Sequence, residues 1–266
     1  MSGERVLAGR PDEPVPVPAV VTALAGDRVP EVVWVNELRG ATFRIGARYV
    51  KWTPAGSALP SLAGEVARLR WAAPHTPVPE VVEHGRDAAG EWMVTAALPG
   101  GNAVEPRWKA DPRPAVVALG RGLRALHDAL PVDDCPFTWS AADRVTSAHR
   151  RSAELEPRRW HPSHHGLDVP TALAAVSDTP PIDRAVVCHG DACAPNTLLD
   201  PSAAVVGYVD LGSLGLADRW ADLAVASWSL AWNYGTGYEA GFFQAYGVRP
   251  DPERIAYYRL LWDMDD

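Results

Sequence analysis

The stretch HGDACAPNTLLD (189–200), followed by VVGYVDLG (205–212), decides how the rest of the chain is read. Each half opens on a hydrophobic run: RAVVC (184–188) leads into His189-Gly190-Asp191, and VVGYV (205–209) leads into Asp210. Short apolar runs bounded by turn residues predict buried strands, each delivering a polar loop. Asp191 and Asn196 stand five residues apart on the first loop, and Asp210 stands on the second. Taken singly, each reads as an ordinary turn residue, because Asp, Asn and Gly favour turns. Taken together, two strand-then-Asp units joined by a hairpin bring two carboxylates and an amide to one place. Such hard oxygen donors suit Mg²⁺, and phosphoryl transfer depends on positioning and charge more than on covalent help.

Upstream, EVVWVNEL (31–38), ATFRIG (41–46) and ARYVKW (47–52) are β-rich and separated by Gly-containing breaks. Ser61 is an N-cap for a helix carrying Leu62, Val66, Leu69 and Ala73 at helical spacing, stopped by Pro74. VPEVVEHG (78–85) and EWMVTAALPGG (91–101) read as strands, and the glycines near residue 100 mark a boundary. Beyond it Val116, Leu119, Leu123, Leu126 and Leu130 share one face of a helix over about 114–130. The stretch 140–182 shows no clear period. Trp220, Leu223, Ser227 and Leu230 give another helix, and Asp251-Pro252 opens a last one with an acidic cap and Pro in the first turn. The order predicts an α+β chain, with a small β-rich lobe over 1–99 and a larger, mainly helical lobe over 100–266.

The chain of 266 residues is long enough for a sizeable core, and its 47% hydrophobic and 22% charged composition is that of a soluble globular protein. A net charge of −8 argues against nucleic acid as a partner. No apolar run approaches the roughly 20 residues of a membrane helix, and MSGERVLAGRPDEPVPVP lacks the apolar segment of a signal peptide. Three cysteines (135, 188, 193) without a C-x-x-C support neither a disulfide framework nor a zinc site. A reduced, cytoplasmic protein, monomeric or dimeric, is expected. Eleven tryptophans are enough to supply stacking surfaces for flat ligands, although any single one reads more readily as a packing anchor.

HGDACAPNTLLD…GYVDLGSLGLADRWADLA closely resembles the aminoglycoside 3′-phosphotransferase family. YVKW, SLAGEVARLRWAA, TPVPEVVEHG, MVTAALPG, LRALHDALPVDDCPF and RIAYYRLLWDMDD extend the resemblance over nearly the whole chain from about residue 35. The resemblance implies a bilobal protein-kinase-like fold, and an Mg²⁺-dependent transfer of the γ-phosphate of ATP or GTP to a hydroxyl of a small-molecule antibiotic. It gives Asp191 the role of the carboxylate at the acceptor hydroxyl, and Asn196 and Asp210 those of Mg²⁺ ligands. Lys51 becomes the lysine on the nucleotide phosphates and Glu65 its ion-pair partner. Thr95, Ala96 and Ala97 fall at the segment whose backbone meets the purine, and the Asn36–Thr42 turn covers the phosphates. Asp222 braces the catalytic loop, and His189 is structural.

The acceptor-binding part departs from the family pattern. Ser213 stands where an Arg is usual, Trp228 and Trp232-Asn233 replace an Arg and an acidic pair, and Trp262-Asp263 replaces an Asp-Glu pair. The usually acidic insert near 154–168 reads ELEPRRWHPSHHGLD. Charge is exchanged for aromatic surface, which suits a less cationic, sugar-containing acceptor such as a capuramycin-type nucleoside, with Trp228, Trp232, Asn233, Trp262 and Asp263 as its contacts. An ordinary aminoglycoside held by Asp263, Asp265 and Glu239, with the tryptophans in the core, is the other reading. A protein kinase is disfavoured, since the loop is H-G-D rather than H-R-D and no A-P-E segment is present. A catalytically silent drug-binding relative is the remaining alternative.

Overall fold

The computed structural model describes residues 14–36 and 38–265, with the backbone of residues 8 and 9; Glu37 and Asp266 lie outside the described residues. The chain divides into two compact units, residues 1–74 with 78–98, and 75–77 with 99–266.

In the first unit, strands β1 (Ala8–Gly9), β2 (Glu31–Asn36), β3 (Ala41–Ile45), β4 (Arg48–Pro54), β5 (Val81–Arg86) and β6 (Gly90–Ala96) form an antiparallel sheet in the order β1-β2-β3-β4-β6-β5. Two helices accompany it, α1 (Ala19–Ala25) and α2 (Leu62–Ala72). Alternation along β3 turns Ala41, Phe43 and Ile45 inward, where they meet Val50, Val94 and the Val21–Ala25 edge of α1. Phe43 is fully buried, and an aromatic side chain so placed contributes about 1.5–3 kcal/mol. Ser61 caps α2 by accepting from the Ala63 N–H, and the helix packs on β5 and β6.

The second unit holds strands β7 (Gly101–Asn102), β8 (Ala185–Cys188), β9 (Thr197–Leu199), β10 (Val205–Tyr208) and β11 (Gly215–Asp218). They form two small sheets, β10-β9-β7 and β11-β8. Its helices are α3 (Pro106–Ala110), α4 (Pro112–Ala129), α5 (Ala141–Arg150), α6 (Val169–Ser177), α7 (Trp220–Tyr234), α8 (Glu239–Tyr246) and α9 (Pro252–Trp262). α7 is buried on nearly every side from Trp220 to Leu230, as expected of a helix apolar all round. α4 approaches α8 through Gly120, where a Cβ would stand 2.5 Å from the Phe242 carbonyl oxygen.

The stretch 140–182, without clear period in the sequence, contains α5 and α6 and two 3₁₀ turns over 157–159 and 162–164. Side-chain caps start the helices: Ser140 Oγ accepts from Asp143 N (3.1 Å), and Asp168 Oδ1 accepts from Thr171 N (2.8 Å). Long-range bonds then hold them, as from Arg144 Nε to Asp265 Oδ2 (2.9 Å) and from Tyr257 Oη to the Val176 carbonyl (2.9 Å). No helix among the described residues is long and apolar enough to cross a membrane.

Candidate active site

β8 pairs with β11 so that Cys188 faces Gly215, which fixes where residues 189–191 leave the sheet. β9 pairs with β10 so that Thr197 faces Tyr208, and the ladder is extended by the Val209 N–H donating to the Asn196 carbonyl (3.0 Å). Asp210 therefore emerges beside Asn196. The turn between these strands is closed by Asp200, whose Oδ1 accepts from Ser202 N (2.8 Å) and Ala204 N (2.9 Å).

The loop 189–196 is held from three directions. Asp222, fully buried on α7, accepts from His189 N (2.6 Å) and His127 Nε2 (3.0 Å) on Oδ2, and from Gly190 N (2.9 Å) on Oδ1. His127 Nδ1 meets the Tyr246 hydroxyl (2.9 Å), extending the brace into α8. The Asp191 N–H donates to His189 Nδ1 (3.3 Å), so the His189 proton sits on Nε2, which donates to the Val209 carbonyl (3.0 Å). His189 thus ties the Asp191 loop to the Asp210 loop. Gly190 has φ +86°, and a Cβ there would stand 2.2 Å from the Ser213 carbonyl oxygen, so only glycine fits. His127, Cys188 and Asp222 bring potential ligand atoms within 4.8 Å of one another. The His127 ring and the Asp222 carboxylate are spent on the brace, and Cys188 Sγ donates to the Asp218 carbonyl (3.4 Å), so the trio is structural.

Asn196 Nδ2 donates both to the Asp191 carbonyl (2.9 Å) and to Asp191 Oδ2 (2.9 Å), so Asn196 Oδ1 is the atom it can offer a cation. Asp191 Oδ1 is buried and has no hydrogen-bond partner among the described residues. Burial and the adjacent negative charge of Asp210 push the Asp191 carboxyl above its ordinary range. Asp210 sits in the left-handed region at φ +63°, a conformation that stores strain and recurs at functional sites. Two mutually repelling carboxylates, one with an unspent buried oxygen, and a free amide oxygen form a donor set that fits a hard divalent cation.

In the first unit, β4 presents Lys51 opposite Thr42 and Met93, and Lys51 Nζ pairs with Glu65 Oε2 at 2.7 Å. Glu65 lies in the first turn of α2, where a carboxylate also complements the helix dipole. In the Asn36–Thr42 turn, whose Glu37 lies outside the described residues, Asn36 Oδ1 accepts from Gly40 N (2.8 Å). Thr95 and Ala96 close β6, and Ala97 follows directly after it. Thr95 is still inside the sheet, facing Tyr49 and Val81, and the Ala97 N–H is already given to the Ala47 carbonyl (2.9 Å).

The expected acceptor contacts divide. Trp228, Trp232 and Trp262 gather into one cluster. Asn233 Nδ2 donates to the Ser229 carbonyl (2.8 Å) and Oγ (3.1 Å). Asp263 is buried and accepts from His164 Nδ1 (2.6 Å) and His161 N (3.0 Å). Ser229 was not legible as a site residue, yet its Oγ accepts from Ala194 N (2.9 Å) and anchors the 189–196 loop to α7. Only the contact itself reveals it.

A small antiparallel unit with a Lys–Glu pair, and a helical unit with an Asp–Asn–Asp constellation, define a kinase-like phosphotransferase. Comparison with known proteins gives the family. A model described as the phosphotransferase enzyme family (APH) matches residues 20–258. An aminoglycoside 3′-phosphotransferase from Streptomyces fradiae is 40% identical over 227 residues, 81% of this chain and 83% of the relative. A streptomycin 3″-kinase from Streptomyces griseus is 35% identical, covering 92% and 96%. The solved structure of aminoglycoside phosphotransferase APH(3″)-Id from Streptomyces rimosus, in complex with ADP and streptomycin, superposes with a TM-score of 0.77 at 28% identity, covering 92% and 96%. The chain belongs to the phosphotransferase enzyme family; it is a transferase that moves phosphate to an alcohol group.

Proposed function

We propose that the chain transfers the γ-phosphate of ATP to a sugar hydroxyl of an antibiotic, in an Mg²⁺-dependent reaction that confers resistance. The observation that carries this reading is the convergence of Asp191, Asn196 and Asp210 on two loops, which His189 ties together and of which Asp222 braces the first. Asp191 orients the acceptor hydroxyl and takes its proton as the oxygen attacks the γ-phosphorus and the bond to the β-phosphate oxygen breaks. Asn196 Oδ1 and the Asp210 carboxylate would hold Mg²⁺. When bound, the ion offsets the charge of the phosphates. Lys51, steadied by Glu65, acts as the cation on the nucleotide phosphates. ADP in the Streptomyces rimosus relative favours ATP over GTP as donor. A cytoplasmic site of action follows from the ATP requirement.

The names of the relatives favour an aminoglycoside acceptor, whereas the tryptophan cluster favours a less cationic, sugar-containing antibiotic of the capuramycin type. A parallel assay of kanamycin, neomycin, streptomycin and a capuramycin-type nucleoside, with ATP or GTP as donor, tests the proposal. The expected result is a phosphorylated product from at least one acceptor, formed with ATP in preference to GTP and lost on chelating Mg²⁺. Absence of any Mg²⁺-dependent nucleotide consumption across the panel would overturn it in favour of a drug-sequestering protein.

A further inference from the structure

Trp228 and Trp232, one turn apart on α7, have ring centroids 5.2 Å apart and planes inclined at 38°. Trp262, at the end of α9, meets them at 6.1 and 5.6 Å. The His161 ring lies 4.4 Å from Trp228 and 6.5 Å from Trp232. The four rings make one continuous surface, graded in depth: Trp228 is 4% exposed, whereas Trp232 is 43% exposed. A tryptophan left this open at the edge of a stack has a ring face still available to a ligand.

This surface adjoins the catalytic loop. Ser229, which anchors Ala194, and Asn233, which supports Ser229, each follow one of the two α7 tryptophans by a single residue. One residue is about 100° of helix. The loop anchor and the aromatic edge therefore occupy neighbouring faces of the same helix.

The carboxylates beside the rings already have partners: Asp263 accepts from His164 Nδ1 and the His161 N–H, and Glu239 pairs with Arg259 (2.8 Å). The Arg259 guanidinium also lies 5.3 Å from the centre of the Trp228 ring. A polyammonium acceptor would have to displace these internal donors or approach the Arg259 cation. A planar group of low charge need only stack.

We infer that this aromatic surface is the acceptor-recognition wall, that it takes a planar heteroaromatic or amide-bearing ring attached to the sugar that is phosphorylated, and that Trp232 determines this specificity. Asp263 is then a positioning residue, which holds His161 and the 161–164 turn against the tryptophans and binds no acceptor amine. The inference deepens the kinase reading by naming the acceptor class.

Calorimetric titration without nucleotide tests it independently of turnover, using capuramycin as the planar nucleoside probe and kanamycin as the polycation. Wild type is expected to bind capuramycin at least about tenfold more tightly than kanamycin. Trp232→Ala is expected to weaken capuramycin binding about 10- to 100-fold, as loss of a stacked base does, and Trp232→Phe to restore most of it. Trp232 is exposed enough for both variants to fold, and a thermal melt checks this. Kanamycin binding as tight as or tighter than capuramycin, no measurable capuramycin binding, or a capuramycin Kd within about threefold of wild type in Trp232→Ala would each overturn the inference. The kinase reading stands or falls separately, on Mg²⁺-dependent turnover.

Discussion

Asp191→Asn is expected to lower kcat by about 10³-fold, within the ~10²–10⁴ range for removing a general base, equivalent to about 4 kcal/mol of barrier. The substitution preserves volume and keeps a carbonyl oxygen to accept from Asn196 Nδ2. It also removes a charge that is disfavoured where it stands, since burial and Asp210 both oppose ionisation of Asp191. The melting temperature should therefore stay the same or rise while turnover collapses, and ADP affinity should be largely retained. Steady-state kinetics, a thermal melt and calorimetry with ADP check the three parts. A parallel loss of stability and activity would mean that Asp191 is structural.

Asp222→Ala is expected to have the opposite signature, losing fold and activity together. It strips the acceptor from His127 Nε2, His189 N and Gly190 N, all in the interior. Breaking a buried pair by removing one partner costs about 3–5 kcal/mol, against a typical total stability of about 5–15 kcal/mol. For a chain of this size the melting temperature should fall by about 10 °C or more. Asp222→Asn does not repair the loss, because its NH₂ group must face a donor on one side. Burial alone would push the Asp222 carboxyl up, but the His127 hydrogen bond and charge, together with His189 and the Gly190 N–H, hold the group below its ordinary range. A depressed folded value means that the contribution is fully present above the unfolded carboxylate pKa and lost as pH falls through the folded one. The stability gap between wild type and variant should thus be constant near neutrality and close in acid.

Much of this site was legible because its chemistry is local. Asp191, Asn196 and Asp210 follow short apolar runs, and the β9–β10 hairpin that unites them is closed by turn residues visible in the sequence. Lys51 and Glu65 were legible for a similar reason, being a strand residue and a first-turn helix residue beyond an evident Ser61 cap. What stayed hidden depends on partners distant in sequence. α5 carries few apolar residues and α6 is only nine residues long, and they are held by Arg144–Asp265 and Tyr257–Val176, separated by 121 and 81 residues. Residue type gave no warning that Ala97 would lose its N–H to Ala47, that Asn233 would turn to Ser229, or that Asp263 would close on His164. Aromatic content pointed to a stacking surface, but which tryptophans would meet, and how open Trp232 would remain, follows from the packing of α7 against α9.

The most direct measurement of the cation-dependent mechanism is the Mg²⁺ activation curve of phosphate transfer to whichever acceptor turns over, taken for wild type and Asp210→Asn. Loss of one of two protein ligands should move the half-activating Mg²⁺ concentration up by about tenfold or more. Superimposable curves would contradict the assignment of Asp210 to the cation, and with it the account of how these two loops work.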